Sequence, residues 1–167
     1  MILGLPASTF TLLHVIISLI AIAAGLVVVA GLIQRRLIPR WTGVFLTTTV
    51  LTSASGFFFP SKFGPPHAVG AISLILMAMA IYALYVRKLT GRWRAAYVIS
   101  AVVSLYFNVF VAVIQTFQKI APFHALAPTQ KEPPFAVAQA ILLILFIGLG
   151  IAAFKKFRPI AQVPAAA

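Results

Sequence analysis

The chain has 167 residues, of which 62% are hydrophobic and 8% are charged, and it carries a formal net charge of +12 at pH 7. Its mean hydropathy of +1.10 excludes a water-soluble globular protein, because too few polar side chains exist to cover the surface of one. The absence of cysteine excludes disulfides, thiolate metal ligands, iron–sulfur clusters and cysteine nucleophiles.

Five apolar segments follow one another along the chain, each bounded by proline or basic residues. About 20 residues are enough to cross the roughly 30 Å of hydrocarbon in a bilayer. The segments occupy residues 10–33, 41–59, 68–86, 95–117 and 135–154. They predict an all-α integral membrane bundle of five transmembrane helices that forms a single domain over residues 1–167. The beginning of the chain lacks the basic stretch and cleavage site of a signal peptide, so we expect the first helix to be retained.

The basic residues predict the orientation of these helices. Ten of the thirteen Lys and Arg residues follow the first, third and fifth segments. They are Arg35, Arg36, Arg40, Arg87, Lys88, Arg92, Arg94, Lys155, Lys156 and Arg158. Only Lys62, Lys119 and Lys131 lie in the other connections. Because cytoplasmic loops carry the excess of positive charge, the amino terminus is predicted outside and the carboxyl terminus in the cytoplasm.

The same charges bear on the partners of the protein. They form short clusters beside the apolar segments, whereas a nucleic-acid-binding surface is typically a continuous basic face with aromatic platforms. Anionic lipid headgroups are sufficient counter-ions for such clusters. We therefore expect the lipid bilayer as the partner and no nucleic acid.

Polar residues inside the apolar segments are the candidate functional groups, because such groups are costly against lipid. In chain order they are His14, a run of Thr and Ser between Thr47 and Ser55, His67, Ser100, Ser104, Asn108, Gln115 and Gln139. The spacing of Ser100, Ser104 and Asn108 places them on one face of the fourth helix. Asn108 and Gln115 can serve either interhelical hydrogen bonding or a ligand. The two serine hydroxyls are expected to bond to the carbonyl one turn back.

Glu132 is the only acidic residue of the chain. We predict that the fifth segment begins as a helix at Pro133 or Pro134, since proline suits the first helical position. Glu132 would then face the positive end of the helix dipole, and this structural role is favoured over catalysis.

Combined with the predicted topology, the polar groups fall in the outer half of the bilayer. The residues expected there are His14, His67, Asn108, Gln115, Gln139 and Glu132. They predict an outward-facing polar pocket, roofed by residues 119–134, that binds a small or lipophilic ligand such as a quinone or a lipid.

Other functions stay open. His14 and His67 could be the axial ligands of haem b, with Lys62 or Lys119 at its propionates, and three histidines could instead hold copper or zinc. A small-solute channel or transporter would have to be passive or oligomeric, because no acidic residue lies within the apolar segments. The small residues of Ala21-x-x-x-Gly25 and Gly148-Leu-Gly150 could dock another membrane protein, making the chain an accessory subunit of a larger complex.

An enzyme is the less favoured interpretation, because no nucleophile elbow and no orienting buried carboxylate accompany the serines and histidines. The run Leu105-Tyr-Phe-Asn-Val-Phe-Val111 is followed by Leu126-Ala-Pro-Thr-Gln130 and Glu132-Pro-Pro-Phe135. In these motifs the chain resembles a group of small uncharacterised polytopic proteins of the bacterial inner membrane. The resemblance implies that location, and it implies no activity, cofactor or site.

Overall fold

The computed structural model describes residues 1–60 and 64–158, and within these ranges the chain is helical with no β-strand. Six α-helices follow one another along the chain. They are α1 (Ala7–Ile33), α2 (Pro39–Gly56), α3 (Pro65–Ile81), α4 (Arg92–Lys119), α5 (Ala121–Leu126) and α6 (Pro133–Lys156). A π-helical turn, Tyr82–Val86, continues α3. Prediction and structure agree on five long helices, and the short α5 and the π turn are additions.

Four of the long helices are long and apolar enough to cross a membrane, which marks the chain as an integral membrane protein. They are α1, α3 with its π turn, α4 and α6. The segment predicted at residues 41–59 does form the helix α2, but α2 is rich in Thr and Ser and does not reach the hydropathy of the other four. Its 18 residues give a length of about 27 Å at 1.5 Å per residue.

The long helices form a closed ring in the order α1, α2, α3, α4, α6, and α4 also contacts α1 across the middle. Successive long helices run antiparallel. The ring of Phe117 at the end of α4 therefore meets that of Phe135 at the start of α6, with centroids 5.4 Å apart. The end of the bundle at which α1 begins is called the amino end. The opposite end, which carries Arg35, Arg94 and Lys156, is called the basic end.

Close approach of α1 to its neighbours depends on Gly25. A Cβ atom placed on Gly25 would lie 2.5 Å from Cδ1 of Leu105 and 2.8 Å from Cε2 of Phe45. Both of these side chains are fully buried, as is Ala21. The Ala21-x-x-x-Gly25 face is thus occupied by α2 and α4 of the same chain. The prediction that it docks another membrane protein is wrong, because small residues allow close packing without saying which helix approaches.

Candidate functional site

A row of polar side chains crosses the interface of α2 with α1 and α4. Thr49, Thr52 and Ser55 recur every third residue of α2, and therefore share one side of the helix. Each has a partner on another helix. Asn108 Nδ2 donates to Thr49 Oγ1 over 3.2 Å, Ser18 Oγ to Thr52 Oγ1 over 3.4 Å, and His14 Nδ1 lies 2.8 Å from Ser55 Oγ. These six residues, called the polar seam, run from mid-bundle toward the amino end.

His14 ends the seam. Ser55 Oγ donates to the carbonyl of Thr52 over 3.1 Å, so its lone pairs remain to accept a hydrogen bond from Nδ1–H of His14. Nε2 of His14 then keeps its own lone pair, and within the described residues it has no hydrogen-bond partner. The ring is half-buried and rests edge-on against Phe59, with centroids 5.1 Å apart. The seam therefore offers one acceptor nitrogen in a partly apolar setting.

His67 lies on the other side of α2. Its ring packs against Phe57 at 5.7 Å, and the backbone N–H of Gly64 donates to its Nδ1 over 3.3 Å. A neutral imidazole that accepts at Nδ1 carries its proton on Nε2 and offers no lone pair there. Since the end of α2 separates His14 from His67, the pair does not fit axial ligation of haem b.

The metal hypothesis finds no support in the ranges 1–60 and 64–158, which hold no group of three His, Cys, Asp or Glu residues placed to bind an ion. Lys62, expected at a propionate, lies outside the described residues. Lys119 is exposed at the last residue of α4.

The two glutamines do not join the seam. Gln139 Nε2 donates to the carbonyl of Phe110 over 3.4 Å at the interface of α4 and α6, while its Oε1 is buried without a partner in the described part of the chain. Phe110 and Asn108 are about 200° apart around α4, at 100° per residue, and so face opposite sides of it. Gln115 is exposed on the surface of α4. Gln115 and Gln139 lie at about the depth expected, but they do not contact the residues of the polar seam.

Glu132 occupies the position before α6, and the prediction that this helix begins at Pro133 is confirmed. Its carboxylate folds back onto the preceding loop. Oε1 accepts from the N–H and the hydroxyl of Thr129, over 3.1 and 2.9 Å, and Oε2 accepts from the N–H of Lys131 over 3.0 Å. Between them Gln130 adopts a φ of +60°, which is unusual for a residue other than glycine. The carboxylate thus holds the turn that leads into α6.

This turn is expected to loosen in acid. Desolvation raises the pKa of Glu132, but the hydrogen bonds from Thr129 and Lys131 outweigh it and hold that pKa below its usual value. A carboxyl whose pKa is lower in the folded than in the unfolded state stabilises the fold. This stabilisation is complete above the unfolded pKa of about 4.3, and it is lost as the pH falls through the lower pKa of the folded state. We expect proteolytic cleavage of residues 127–132 to accelerate below about pH 4. Glu132→Gln should cleave faster at pH 7 and lose this acid step.

The chain provides a clean background for that measurement, because it has no other acidic side chain. Ser8→Glu is a suitable control, since it adds a carboxylate on an exposed residue at the start of α1, outside the turn. An acid step of the same size in Glu132→Gln would contradict the assignment.

Four further polar groups are fully buried in the half of the bundle nearer the basic end. The hydroxyls of Ser100 and Ser104 have no hydrogen-bond partner among the described residues, whereas those of Thr42 and Tyr97 lie close to each other. The prediction that Ser100 and Ser104 bond to the carbonyl one turn back is therefore wrong. The sequence signal for this group was the i, i+3, i+7 spacing of Tyr97, Ser100 and Ser104, which places all three on one side of α4.

An apolar groove of about 350 Å³ runs along the contact of α4 with α6, lined by Val102, Tyr106, Phe146 and Phe154 among others. Its walls carry no charged group, so it suits a lipid chain better than a polar ligand.

Comparison of the chain with protein-family models, curated proteins and solved structures finds no match. The polar seam, with its unused imidazole nitrogen, is thus the candidate site that the geometry itself singles out.

Proposed function

We propose that the chain is a five-span protein of the bacterial inner membrane, with its amino terminus outside and its carboxyl terminus in the cytoplasm. Ten of the thirteen basic residues then face the cytoplasm. The weakly apolar α2 is the fifth span. It tolerates lipid because the seam pairs Thr49, Thr52 and Ser55 within the bundle, which removes the cost of bare hydroxyls in hydrocarbon. The resemblance to small bacterial membrane proteins supports the same location.

At the outer end of the seam the protein binds a small or lipophilic ligand that donates a hydrogen bond. The observation that carries this proposal is Nε2 of His14, an acceptor fixed in direction by the bond from Nδ1 to Ser55. Phe59 supplies an apolar wall beside it. A hydroxyl-bearing ring, such as a reduced quinone, or a lipid headgroup has the complementary chemistry, and the ligand can enter from the bilayer.

A second function is an accessory subunit of a larger membrane complex. Gly148 favours it, because this glycine is exposed on α6 and no atom of the described residues lies within 4 Å of the position that a Cβ would take there. A neighbouring helix could therefore approach closely. In that case partner proteins would co-purify with the chain. The ligand proposal requires no partner.

Single cysteines test the proposal, since the natural chain has none. In intact cells we expect a membrane-impermeant maleimide to label Pro60→Cys, and to label Arg36→Cys only after permeabilisation. These positions flank α2, so opposite behaviour establishes it as a span. His14→Cys should be labelled from outside, because the half-buried ring lies near the amino end. Thr42→Cys, buried near the basic end, should stay unlabelled.

Ligand binding is read out on the same preparations by native mass spectrometry after gentle extraction. We expect a bound small molecule on the natural chain and on His124→Leu, and about tenfold less of it on His14→Leu, the effect of one lost hydrogen bond. His124 is the matched control, because it is an exposed histidine of α5 outside the seam. Labelling of positions 36 and 60 from one side would end the five-span proposal. Equal occupancy in both histidine variants would end the ligand site.

A further inference from the structure

A cleft of about 600 Å³ opens at the basic end, far from the polar seam. It is lined by Arg35, Lys155, Lys156 and Arg158, which come from the ends of two helices that are distant in sequence. We propose that this cleft is a binding site for a phosphate group carrying two negative charges, presented by an anionic lipid headgroup or as free phosphate.

The first argument is the lack of a counter-ion. Four positive side chains share one cleft, and the chain contains a single acidic residue, Glu132. Glu132 precedes the first residue of α6 whereas Lys155 and Lys156 end it, so the 24-residue helix places about 36 Å between them. Charges that far apart are screened by salt, because the Debye length is about 8 Å at physiological ionic strength. Among the described residues no carboxylate lies near the cleft, so its charges are available to an anion from outside this part of the chain.

The second argument is that the backbone on both sides of the cleft is fixed. Arg35 terminates α1 in a Schellman motif, in which its N–H donates to Leu32 O over 3.1 Å and that of Arg36 to Gly31 O over 2.8 Å. Arg35 has a φ of +63°, a left-handed conformation that normally selects glycine. An arginine at this position costs stability that glycine would not, and strained backbone of this kind occurs often at binding sites.

The other side is held by Arg94 and Phe157. Arg94 Nη1 donates to the carbonyl of Phe154 over 2.9 Å and also to that of Phe157. The Phe157 side chain, 1% exposed, is inserted into the bundle between Lys156 and Arg158. The backbone that carries these two cations is therefore fixed, so that only their side chains have to be ordered on binding.

The chemistry of the lining suits phosphate. A guanidinium offers paired N–H donors that match two phosphate oxygens, while an ammonium acts as a point charge. Arg35 and Arg158 supply the former, and Lys155 and Lys156 the latter. A headgroup with a single charge would leave most of the cleft uncompensated. Phosphatidic acid or inorganic phosphate comes closer to neutralising it.

The test compares two double variants of equal charge in a neutral detergent. Arg35→Gln with Lys156→Gln removes charges from the cleft, whereas Lys88→Gln with Arg92→Gln removes exposed charges at the same end but outside it. Phosphatidic acid and phosphatidylcholine are titrated by native mass spectrometry, and inorganic phosphate by calorimetry. We expect the natural chain to prefer phosphatidic acid at least about tenfold, and the cleft variant to bind it about thirtyfold more weakly.

The control variant should bind within about threefold of the natural chain, as expected for charges that only contribute to the general field. Calorimetric binding of inorganic phosphate that is lost in the cleft variant would identify free phosphate as the source. Binding of phosphatidic acid alone would identify the lipid. No preference for either phosphate probe over phosphatidylcholine would overturn the proposal, as would an equal loss in the two variants. The amino end plays no part in this test, so its outcome is independent of the seam.

Discussion

Gly25→Leu is expected to destabilise the bundle strongly and to lower its unfolding midpoint. The new side chain would begin within 3 Å of both Leu105 and Phe45, which are fully buried and have no free space to move into. Over-packing of a closed core costs about 1–3 kcal/mol, and more when the backbone has to separate. Because α1, α2 and α4 all meet at this point, the seam beside it should also open. The midpoint of thermal or SDS-induced unfolding in detergent measures the loss.

Gly148→Leu is the matched control, since the same substitution is made in a long apolar helix. A Cβ atom on Gly148 meets nothing within 4 Å among the described residues, so its unfolding midpoint should stay close to that of the natural chain. A drop equal to that of Gly25→Leu would show that close packing around Gly25 does not govern the result. Addition of Phe45→Ala to Gly25→Leu should partly restore the unfolding midpoint, because the smaller alanine leaves space for the new leucine side chain.

The long helices could be predicted from the sequence because apolar runs between prolines and basic residues set their lengths directly. Pro39, Pro65 and Pro133 each open a helix within a few residues of the expected position. The short helix Ala121–Leu126 could not, because six residues are too few to show a period. The π turn at Tyr82–Val86, which follows the end of α3, could not be predicted either, because its residues do not differ in type from those of an α-helix.

The sequence predicts how deep in the bundle the candidate site residues lie, but it does not predict toward which neighbouring helix each side chain points. The four-residue spacing on α4 places Asn108 inward, and the structure pairs it with Thr49. Gln115 shares that face, yet it is exposed. Asn108 contacts Thr49 of the parallel helix α2, and Gln115 lies seven residues further along α4. That places Gln115 level with Gly56, the last residue of α2, where the helix that covers Asn108 ends.

The partners of each helix likewise could not be predicted from one sequence. His14 and His67 lie at one end of the bundle, as expected, but α2 stands between them. The Ala21-x-x-x-Gly25 face was suited to an external helix as well as to an internal one, and Phe45 of α2 fills it. Hydropathy says which residues avoid water, whereas the choice among apolar neighbours depends on shape.

Arg94→Leu is the second change with a large expected effect. Its guanidinium donates to the carbonyl of Phe154 in the last turn of α6 and to that of Phe157, which follows the helix, and it lies over the ring of Phe154 at 5.2 Å. Loss of charge-assisted hydrogen bonds of this kind costs about 1–3 kcal/mol, with the lower part of the range suited to a half-exposed side chain. The end of α6 should detach, and the Phe157 side chain with it. Unfolding midpoints and proteolysis after Lys155 or Lys156 measure the change.

Arg92→Leu is the control, since Arg92 is exposed two residues earlier on α4 and its replacement removes the same charge. Its unfolding midpoint should be nearly unchanged. Arg94→Lys should fall between the two, because an ammonium keeps the charge but is carried on a shorter side chain and loses the planar stacking on Phe154. If the fixed loop also positions Lys156 and Arg158, Arg94→Leu should weaken phosphatidic acid binding although Arg94 does not line the cleft. Unchanged binding in a destabilised Arg94→Leu would show that the cleft forms without this support.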